Sequence, residues 1–357
     1  MNKLLILGGT NFIGRNLVDT LIELNKFNIT LFNRGKTNCL LFPEIKKIQG
    51  DRNTADIHKI LDNNWDYIID LSCYFPNSLD NVLPKINTSL KRYIFISTCS
   101  VYDNQENTIL LNENIPTLLC DKNECIDNSL VTYGKRKAEC ERILIKSGLK
   151  YTIFRPALVY GKYDTTDRFY YWLYQVKNNK SLLIPNKGKS LFSATYVMDL
   201  VQVIIKSLSI NLTSNIYNVT TFPKSSISGL IDKTAEILNK KPLIYDADTQ
   251  FLHKNKVKEW FDLPLWIDSD CFTFDNSKIV QELNMKITDF EDSLLKTIIY
   301  YNQLGWKIPK YGLQENVKNG LIKKEERSSS NDTMHITTYT YDNQSRLIRE
   351  KSIWPVS

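Results

Sequence analysis

Histidine is scarce in this chain. His58, His253 and His335 stand far apart among 357 residues and in no metal-ligand spacing, so a zinc or iron centre is not expected. The seven cysteines (Cys39, Cys73, Cys99, Cys120, Cys125, Cys140 and Cys271) are odd in number and lack C-x-x-C spacing. That argues against a disulfide framework and for reduced thiols. Long apolar runs are missing too. Leu4-Leu5-Ile6-Leu7 stops at Gly8-Gly9, too short for a signal peptide or a membrane span, which predicts a cytoplasmic protein with no membrane partner. Nor is there a strong excess of one charge: a net +7 permits an anionic partner without requiring one.

What remains is an ordinary globular composition, 42% hydrophobic and 24% charged, long enough for one large α/β domain and a smaller lobe. The first half alternates strand and helix signals. Residues 3–7 form a short continuous apolar run, as in a parallel strand buried on both faces. After a glycine turn, Phe12, Ile13, Leu17, Val18, Leu21 and Ile22 recur at helical spacing. Further strands are predicted at 29–32, 47–49, 67–71, 93–97 and 151–155, with a long helix over 130–147. Short strands separated by helices imply a doubly wound, parallel Rossmann sheet, whose ligand lies at the carboxyl ends of the strands. The predicted division is a nucleotide-binding domain over 1–160, completed by about 191–221, then a substrate lobe from 161–190 and 222–326.

The glycine turn reads Gly8-Gly9-Thr10-Asn11-Phe12-Ile13-Gly14. Gly8 ends the first strand where the chain must turn, and Gly14 lets the following helix pack close to the sheet. The exposed N–H groups of that helix's first turn attract a pyrophosphate. Asn11 stands where a middle glycine is usual, and its tolerance of left-handed backbone is expected to preserve the turn. The second strand ends at Asn33-Arg34-Gly35-Lys36. An acidic residue there would favour NAD(H), whereas uncharged Asn33 with cationic Arg34 and Lys36 favours NADP(H). Downstream, Tyr133 and Lys137 are four apart and share one helix face. An ammonium on that face stabilises a phenolate, and a tyrosine that exchanges its proton suits carbonyl–alcohol chemistry beside a nicotinamide.

These motifs together resemble the extended short-chain dehydrogenase/reductases of the NAD-dependent epimerase/dehydratase family. The resemblance rests on G-G-T-N-F-I-G-R, N-R-G-K at 33–36, G-D-R at 50–52, I-D-L-S at 69–72, I-S-T-C-S-V-Y at 96–102, Y-G-K-R-K at 133–137 and R-P-A-L-V-Y-G at 155–161. It is similar to a bacterial subgroup marked by Thr166-Asp167-Arg168-Phe169 and Trp260-x-x-x-Pro264-Leu265-Trp266, and extends from Met1 to about Glu326. The resemblance implies that Gly8, Thr10, Asn11, Phe12, Ile13 and Gly14 hold the dinucleotide, with Asp51 at the adenine and Arg52 also binding the cofactor. It also implies that Leu71 and Ser72 line the cofactor and that Pro156 follows the strand beneath the nicotinamide. The family's catalytic hydroxyl falls on Thr98 beside Tyr133 and Lys137, and a homodimer is left open.

Departures from the family narrow the expectation. Sugar 4,6-dehydratases carry Asp-Glu after the catalytic Thr, but this chain has Cys99-Ser100, which make no acid/base pair at neutral pH. Leu158 replaces the Asn that contacts a diphosphate in nucleotide-sugar epimerases. A small carbonyl or sugar-like substrate is expected, with reduction of a non-sugar carbonyl as the competitor. Cys99, Ser100, Arg168 and Tyr196 are the candidate substrate contacts. The polar stretch between Thr98 and Tyr133 suggests a mobile loop, in which Cys120 and Cys125 read as a redox-active pair or, the favoured reading, as inert thiols.

In the second half, helices are predicted at 197–208 and 290–301 and a strand at 216–219, with Asp199 as a first-turn helix residue. Ser328-Ser329-Ser330-Asn331-Asp332 reads as a linker to a loosely structured tail over 327–357, with a hairpin turn at Asp342-Asn343. Chloroplast stem-loop RNA-binding proteins share the glycine start, which raises RNA as an alternative ligand. Basic residues here are dispersed among acids rather than gathered in a stripe, so nucleic acid is not the expected partner.

Overall fold

The structure, a computed structural model, describes residues 1–329 apart from 62, 105–107, 211–212 and 268–270, together with 336–341 and 347–353. It divides into two compact units. The first comprises Met1–Asp167, Ser190–Ser226 and Ser269–Lys307; the second comprises Arg168–Lys189, Ile227–Asp268 and Ile308–Ser357.

In the first unit the apolar runs become strands and the amphipathic stretches become helices. In chain order, β1 (Asn2–Leu7) is followed by α1 (Phe12–Leu24), β2 (Phe27–Asn33), β3 (Lys46–Gln49) and β4 (Tyr67–Asp70). After α2 (Asn77–Asp80) come β5 (Arg92–Ile96), α3 (Tyr133–Lys146), β6 (Tyr151–Pro156) and β7 (Leu158–Tyr160). Beyond α4 (Arg168–Asn178) and β8 (Ser181–Pro185) of the second unit, the first unit resumes with β9 (Leu191–Tyr196), α5 (Val197–Ser207) and β10 (Asn215–Val219). The main sheet has seven strands in the order β10-β6-β5-β4-β1-β2-β3, every pairing parallel. Strand order reverses between β1 and β4, the place where such sheets open a crevice at their carboxyl ends.

Leu4, Ile6, Leu17, Val18, Leu21, Leu200, Val201 and Ile204 build the core on one face of the sheet. Leu5, Leu7, Ile57, Ile68, Leu79, Tyr93, Cys140 and Leu144 build it on the other. β1 contributes alternate residues to both, which is why its sequence is apolar at every position from Leu4 to Leu7. Its packing fixes α1 and α3 against opposite faces.

β11 (Phe222–Ser226) pairs antiparallel with β9. In the second unit, α6 (Ile227–Leu238) precedes β12 (Leu243–Ala247), which pairs parallel with β8, and then α7 (Thr249–Lys254). The chain then adds β13 (Cys271–Phe272), α8 (Ser277–Leu283) and α9 (Phe290–Gln303) to the first unit. Residues 269–307, assigned to the substrate lobe by sequence, therefore cluster with the nucleotide-binding part. The physical reason is that β13 pairs with β9 while Ile279 and Leu283 of α8 join the core beneath α5 and β10. Asp199 is fully buried at the first turn of α5, accepting hydrogen bonds from Thr221 Oγ1 at 2.9 Å and Thr288 Oγ1 at 2.5 Å.

The second unit buries Trp172 and Trp266, and Trp172 Nε1 donates to the Pro264 carbonyl at 2.7 Å. It continues through α10 (Glu315–Ser329) to an antiparallel pair, β14 (Ile336–Tyr341) and β15 (Leu347–Ile353). The predicted linker is therefore helical through Ser329. Ser330, Asn331, Asp332 and the predicted turn at Asp342-Asn343 lie outside the described residues. Among the described residues no helix is long and apolar enough to cross a membrane.

Candidate active site

The glycine turn is built at the carboxyl end of β1. Gly8 and Gly9 adopt φ of 111° and 98°, a region that L side chains avoid. Those two residues make the reversal, so the one expected at Asn11 is not needed: Asn11 is extended, with φ −132° and ψ 151°, and serves as the backbone entry to α1. The positive φ falls instead on Phe12, at 26°. A Cβ on Gly14 would lie 2.7 Å from Gly9 Cα and 2.8 Å from Gly9 N, so only glycine lets α1 start this close to the turn. Thr10 is buried and its carbonyl accepts from Asn38 Nδ2 at 2.8 Å, while Phe12 and Ile13 pack inward.

Beside this turn, Leu71 and Ser72 follow β4 and sit within van der Waals reach of Gly8. Ser72 Oγ donates to the Leu7 carbonyl at 3.2 Å and accepts from Arg52 at 3.3 Å. Arg52 itself is committed elsewhere. Its guanidinium grips the fully buried Asp70 carboxylate at 2.5 and 2.9 Å, because a buried carboxylate requires a cation and hydrogen bonds. Arg52 thus buttresses the strand ends through Asp70. Asp51 is partly buried and its Oδ1 accepts from the Asn53 N–H at 3.0 Å.

At the end of β2, Asn33 Oδ1 accepts from the Gly35 N–H at 2.9 Å. Asn33 Nδ2 is buried without a hydrogen-bond partner, a donor left to point at a ligand oxygen. Arg34 and Lys36 are exposed. The left-handed glycines, the room conserved at Gly14 and the orphaned Asn33 donor all fit a dinucleotide.

The Tyr133–Lys137 face is set by the packing of α3. A Cβ on Gly134 would lie 2.1 Å from the Ser100 carbonyl oxygen, so the first turn of α3 rests directly on the loop that begins at Thr98. Thr98 Oγ1 caps that loop, accepting from the Ser100 N–H at 3.2 Å, and meets Ser100 Oγ at 3.2 Å. Lys137 is 3% exposed; its ammonium donates to the Cys73 carbonyl at 2.9 Å and the Ile96 carbonyl at 2.7 Å, at the ends of β4 and β5. Tyr133 is half-buried, and its ring lies 6.2 Å from the ring of Tyr74. Pro156 is the buried last residue of β6. Farther along α3, Glu141 and Arg155 form a buried ion pair at 2.5 Å that ties the helix to β6.

Of the substrate candidates, Ser100 stays beside Thr98. Cys99 turns inward, its Sγ donating to the Arg155 carbonyl at 3.0 Å, and burial pushes its thiol well above the usual range. Tyr196 is a buried core side chain with its ring 5.7 Å from that of Tyr160. Arg168 belongs to the second unit, where its guanidinium lies 5.3 Å over the Trp260 ring.

Among the described residues after Thr98, Val101, Leu111, Thr117 and Leu118 are held by hydrogen bonds. Leu118 N–H donates to the Val101 carbonyl at 2.8 Å, Leu111 pairs with the Thr273–Phe274 segment, and Arg142 of α3 holds Thr117 and Leu118. Two residues escaped the sequence reading. Ser97 Oγ is buried with no hydrogen-bond partner at the end of β5; the Ser97-Thr98 doublet after an apolar strand was its only signal. Tyr74, whose ring borders both Tyr133 and the Lys137 ammonium, had none. Among the described residues no group of three or more His, Cys, Asp or Glu could hold a metal.

Known proteins bear on this geometry. The chain is similar to the UDP-glucose 4-epimerase of Thermotoga maritima, solved with UDP-glucose, at 19% identity and a TM-score of 0.66, covering 85% of this chain and 99% of that one. It is similar to the UDP-glucuronic acid 4-epimerase of Bacillus cereus, solved with NAD, at 19% identity and a TM-score of 0.65, covering 85% and 100%. At such identities the likeness is one of fold. In sequence it is 24% identical over 250 residues to the chloroplast stem-loop binding protein of 41 kDa b of Arabidopsis thaliana, across 66% of this chain. The match spans 62% of that relative's length. Residues 4–220, more than half of the chain, match the model of the NAD dependent epimerase/dehydratase family, and the protein belongs to that family.

Proposed function

We propose that this protein catalyses nicotinamide-dependent hydride transfer at a carbonyl or alcohol carbon of a small, sugar-like substrate. The observation that carries the reading is the seating of Gly134 on the Ser100 carbonyl, which presents the Tyr133–Lys137 face of α3 to the Thr98 loop. Tyr133 gives or takes the proton at the reacting oxygen, and Thr98 Oγ1 hydrogen-bonds the same oxygen. Lys137 has three N–H donors; the Cys73 and Ile96 carbonyls take two, leaving one for the cofactor ribose. That fixed ammonium also stabilises the Tyr133 phenolate.

When bound, the nicotinamide supplies or accepts the hydride. Gly8, Thr10, Asn11, Phe12, Ile13 and Gly14 would hold the pyrophosphate, with Asp51, Leu71, Ser72 and Pro156 along the dinucleotide. Family likeness brings NAD, the cofactor in the Bacillus cereus structure. Asn33 with Arg34 and Lys36 supports NADP(H) instead, since β2 ends on an amide followed by two cations rather than on a carboxylate. Leu158 is buried in β7, which speaks against a nucleotide-diphosphate contact at that position.

The test is cofactor oxidation against a carbonyl panel, with Tyr133→Phe as the control. Loss of the hydroxyl should cut turnover by about a hundred- to ten-thousand-fold; unchanged turnover would remove the proposal. A second reading is favoured by the name of the Arabidopsis relative: binding of a stem-loop RNA. RNA affinity that falls steeply with salt and is indifferent to Tyr133→Phe would support it.

A further inference from the structure

Two thiols outside the proposed chemistry are in contact. Cys120 Sγ and Cys125 Sγ are 3.3 Å apart, and both residues are partly solvent-exposed. The turn between them is held by the Cys125 N–H donating to the Asp121 carbonyl at 3.0 Å, and by Asp121 Oδ1 accepting from the N–H groups of Asn123 and Glu124. Glu124 accepts from the Asp121 N–H and pairs with Lys135 of α3. The two sulfurs are thus brought together by backbone structure rather than by chance rotamers. A second pair, Cys73 and Cys140, lies 3.8 Å apart but is shut in the core.

We infer that Cys120 and Cys125 form a reversible disulfide, with Cys125 as the attacking sulfur and Cys120 as the resolving one, and that a low-molecular-weight disulfide of the glutathione class is the oxidant. Cys125 and Ile126 line a cavity of about 570 Å³ together with Asn81, His58 and Lys85. Among the described residues no carboxylate lines it, and an anionic peptide disulfide can approach from that side. Cys120 is not among the residues that line this cavity, and burial pushes its thiol up, which suits it to the resolving step.

The Cys125 thiolate attacks one sulfur of the oxidant, expelling one glutathione thiolate and leaving a mixed disulfide on Cys125. Cys120 then loses its proton to solvent and attacks Cys125 Sγ, expelling the second glutathione thiolate. Both leaving groups take up a proton. In sum, two protein thiols are oxidised to a disulfide while one glutathione disulfide is reduced to two thiols.

The experiment uses the full chain, reduced and then incubated with glutathione disulfide under native conditions, alkylated and mapped by peptide mass spectrometry. The expected result is a Cys120–Cys125 cross-link, lighter by two hydrogens and resistant to alkylation. Cys39, exposed and alone, should carry a glutathione adduct, and Cys73 and Cys140 should react only after unfolding. Cys120→Ser should retain glutathione on Cys125, whereas Cys125→Ser should leave Cys120 largely unmodified. Recovery of both thiols as alkylated or separately glutathionylated residues in the unmutated protein would overturn the inference. A Cys120 adduct in Cys125→Ser, formed as fast as the wild-type cross-link, would overturn the assigned order.

Discussion

Gly134 stands where a single added carbon would lie 2.1 Å from the Ser100 carbonyl oxygen. The clash is with backbone, which cannot swing aside like a side chain. Gly134→Ala must therefore lift the first turn of α3 from the Thr98 loop. Overpacking of this kind costs about 1–3 kcal/mol, and turnover should fall by more than the stability loss explains. Gly320 in α10 is the control, because nothing lies within 4 Å of its added Cβ. Gly320→Ala should raise the melting temperature, since glycine inside a helix is about 1 kcal/mol worse than alanine.

Arg34 is exposed at the end of β2, beside an Asn33 amide whose free N–H is buried. On the proposed NADP(H) reading, a guanidinium there would meet a 2′-phosphate but gain little from a ribose hydroxyl. Arg34→Ala should weaken NADPH binding by about ten- to a hundred-fold, matching a lost charged hydrogen bond of about 1.5–3 kcal/mol. NADH affinity should hardly change. Titration calorimetry with both nucleotides checks this, and equal losses would place NAD(H) at the site.

Much of this arrangement is legible in the residues alone. The strands of the main sheet announce themselves as short apolar runs because both faces are covered, and Y-x-x-x-K needs only helical spacing to share a face. The failures have physical causes. The pattern that places glycine at Asn11 predicts a left-handed backbone there, yet Gly8 and Gly9 already make the reversal. Arg52 follows Asp51 in sequence, but only the fold shows that Asp70, eighteen residues on, is buried and claims it. Cys99 could not be told from a site residue because a strand end alternates its side chains, and which side faces the crevice depends on the neighbours. The polarity of the stretch after Thr98 predicts a loose loop, but Thr117 and Leu111 in it bond to α3 and to the Thr273–Phe274 segment, far away in sequence.

Glu141 and Arg155 are 2% and 4% exposed and joined by three hydrogen bonds. Removing one charge leaves the other buried without an opposite charge. Glu141→Gln should therefore destabilise by about 3–5 kcal/mol. Replacing both residues, as Glu141→Leu with Arg155→Met, should cost less than that single change, because no orphaned charge remains. Urea unfolding of the two variants decides it. A double variant weaker than the single would mean the pair contributes net attraction beyond its desolvation cost.

Asp70 yields a prediction about pH. Burial alone would push its carboxyl up, but the Arg52 guanidinium and hydrogen bonds from Arg52, Tyr93 and the Ser72 N–H hold it below the ordinary value. A folded-state pKa below the unfolded value of about 3.9 means that the contribution to stability is present above that pH. It is lost as pH falls through the lower, folded-state pKa. The unmutated protein should thus show no loss from this group on acidification from neutrality to about pH 4. In Arg52→Met the carboxylate keeps its Tyr93 and Ser72 partners at 2.7 and 3.1 Å but has no cation. Its pKa then rises above the unfolded value, and the sign reverses. Stability at neutral pH should drop by about 3–5 kcal/mol, then partly recover as acid neutralises the buried charge. Urea midpoints measured between about pH 7 and pH 5 should rise on acidification in Arg52→Met. Midpoints in that variant that stay level or fall over the same range would show that Asp70 is not held charged by Arg52.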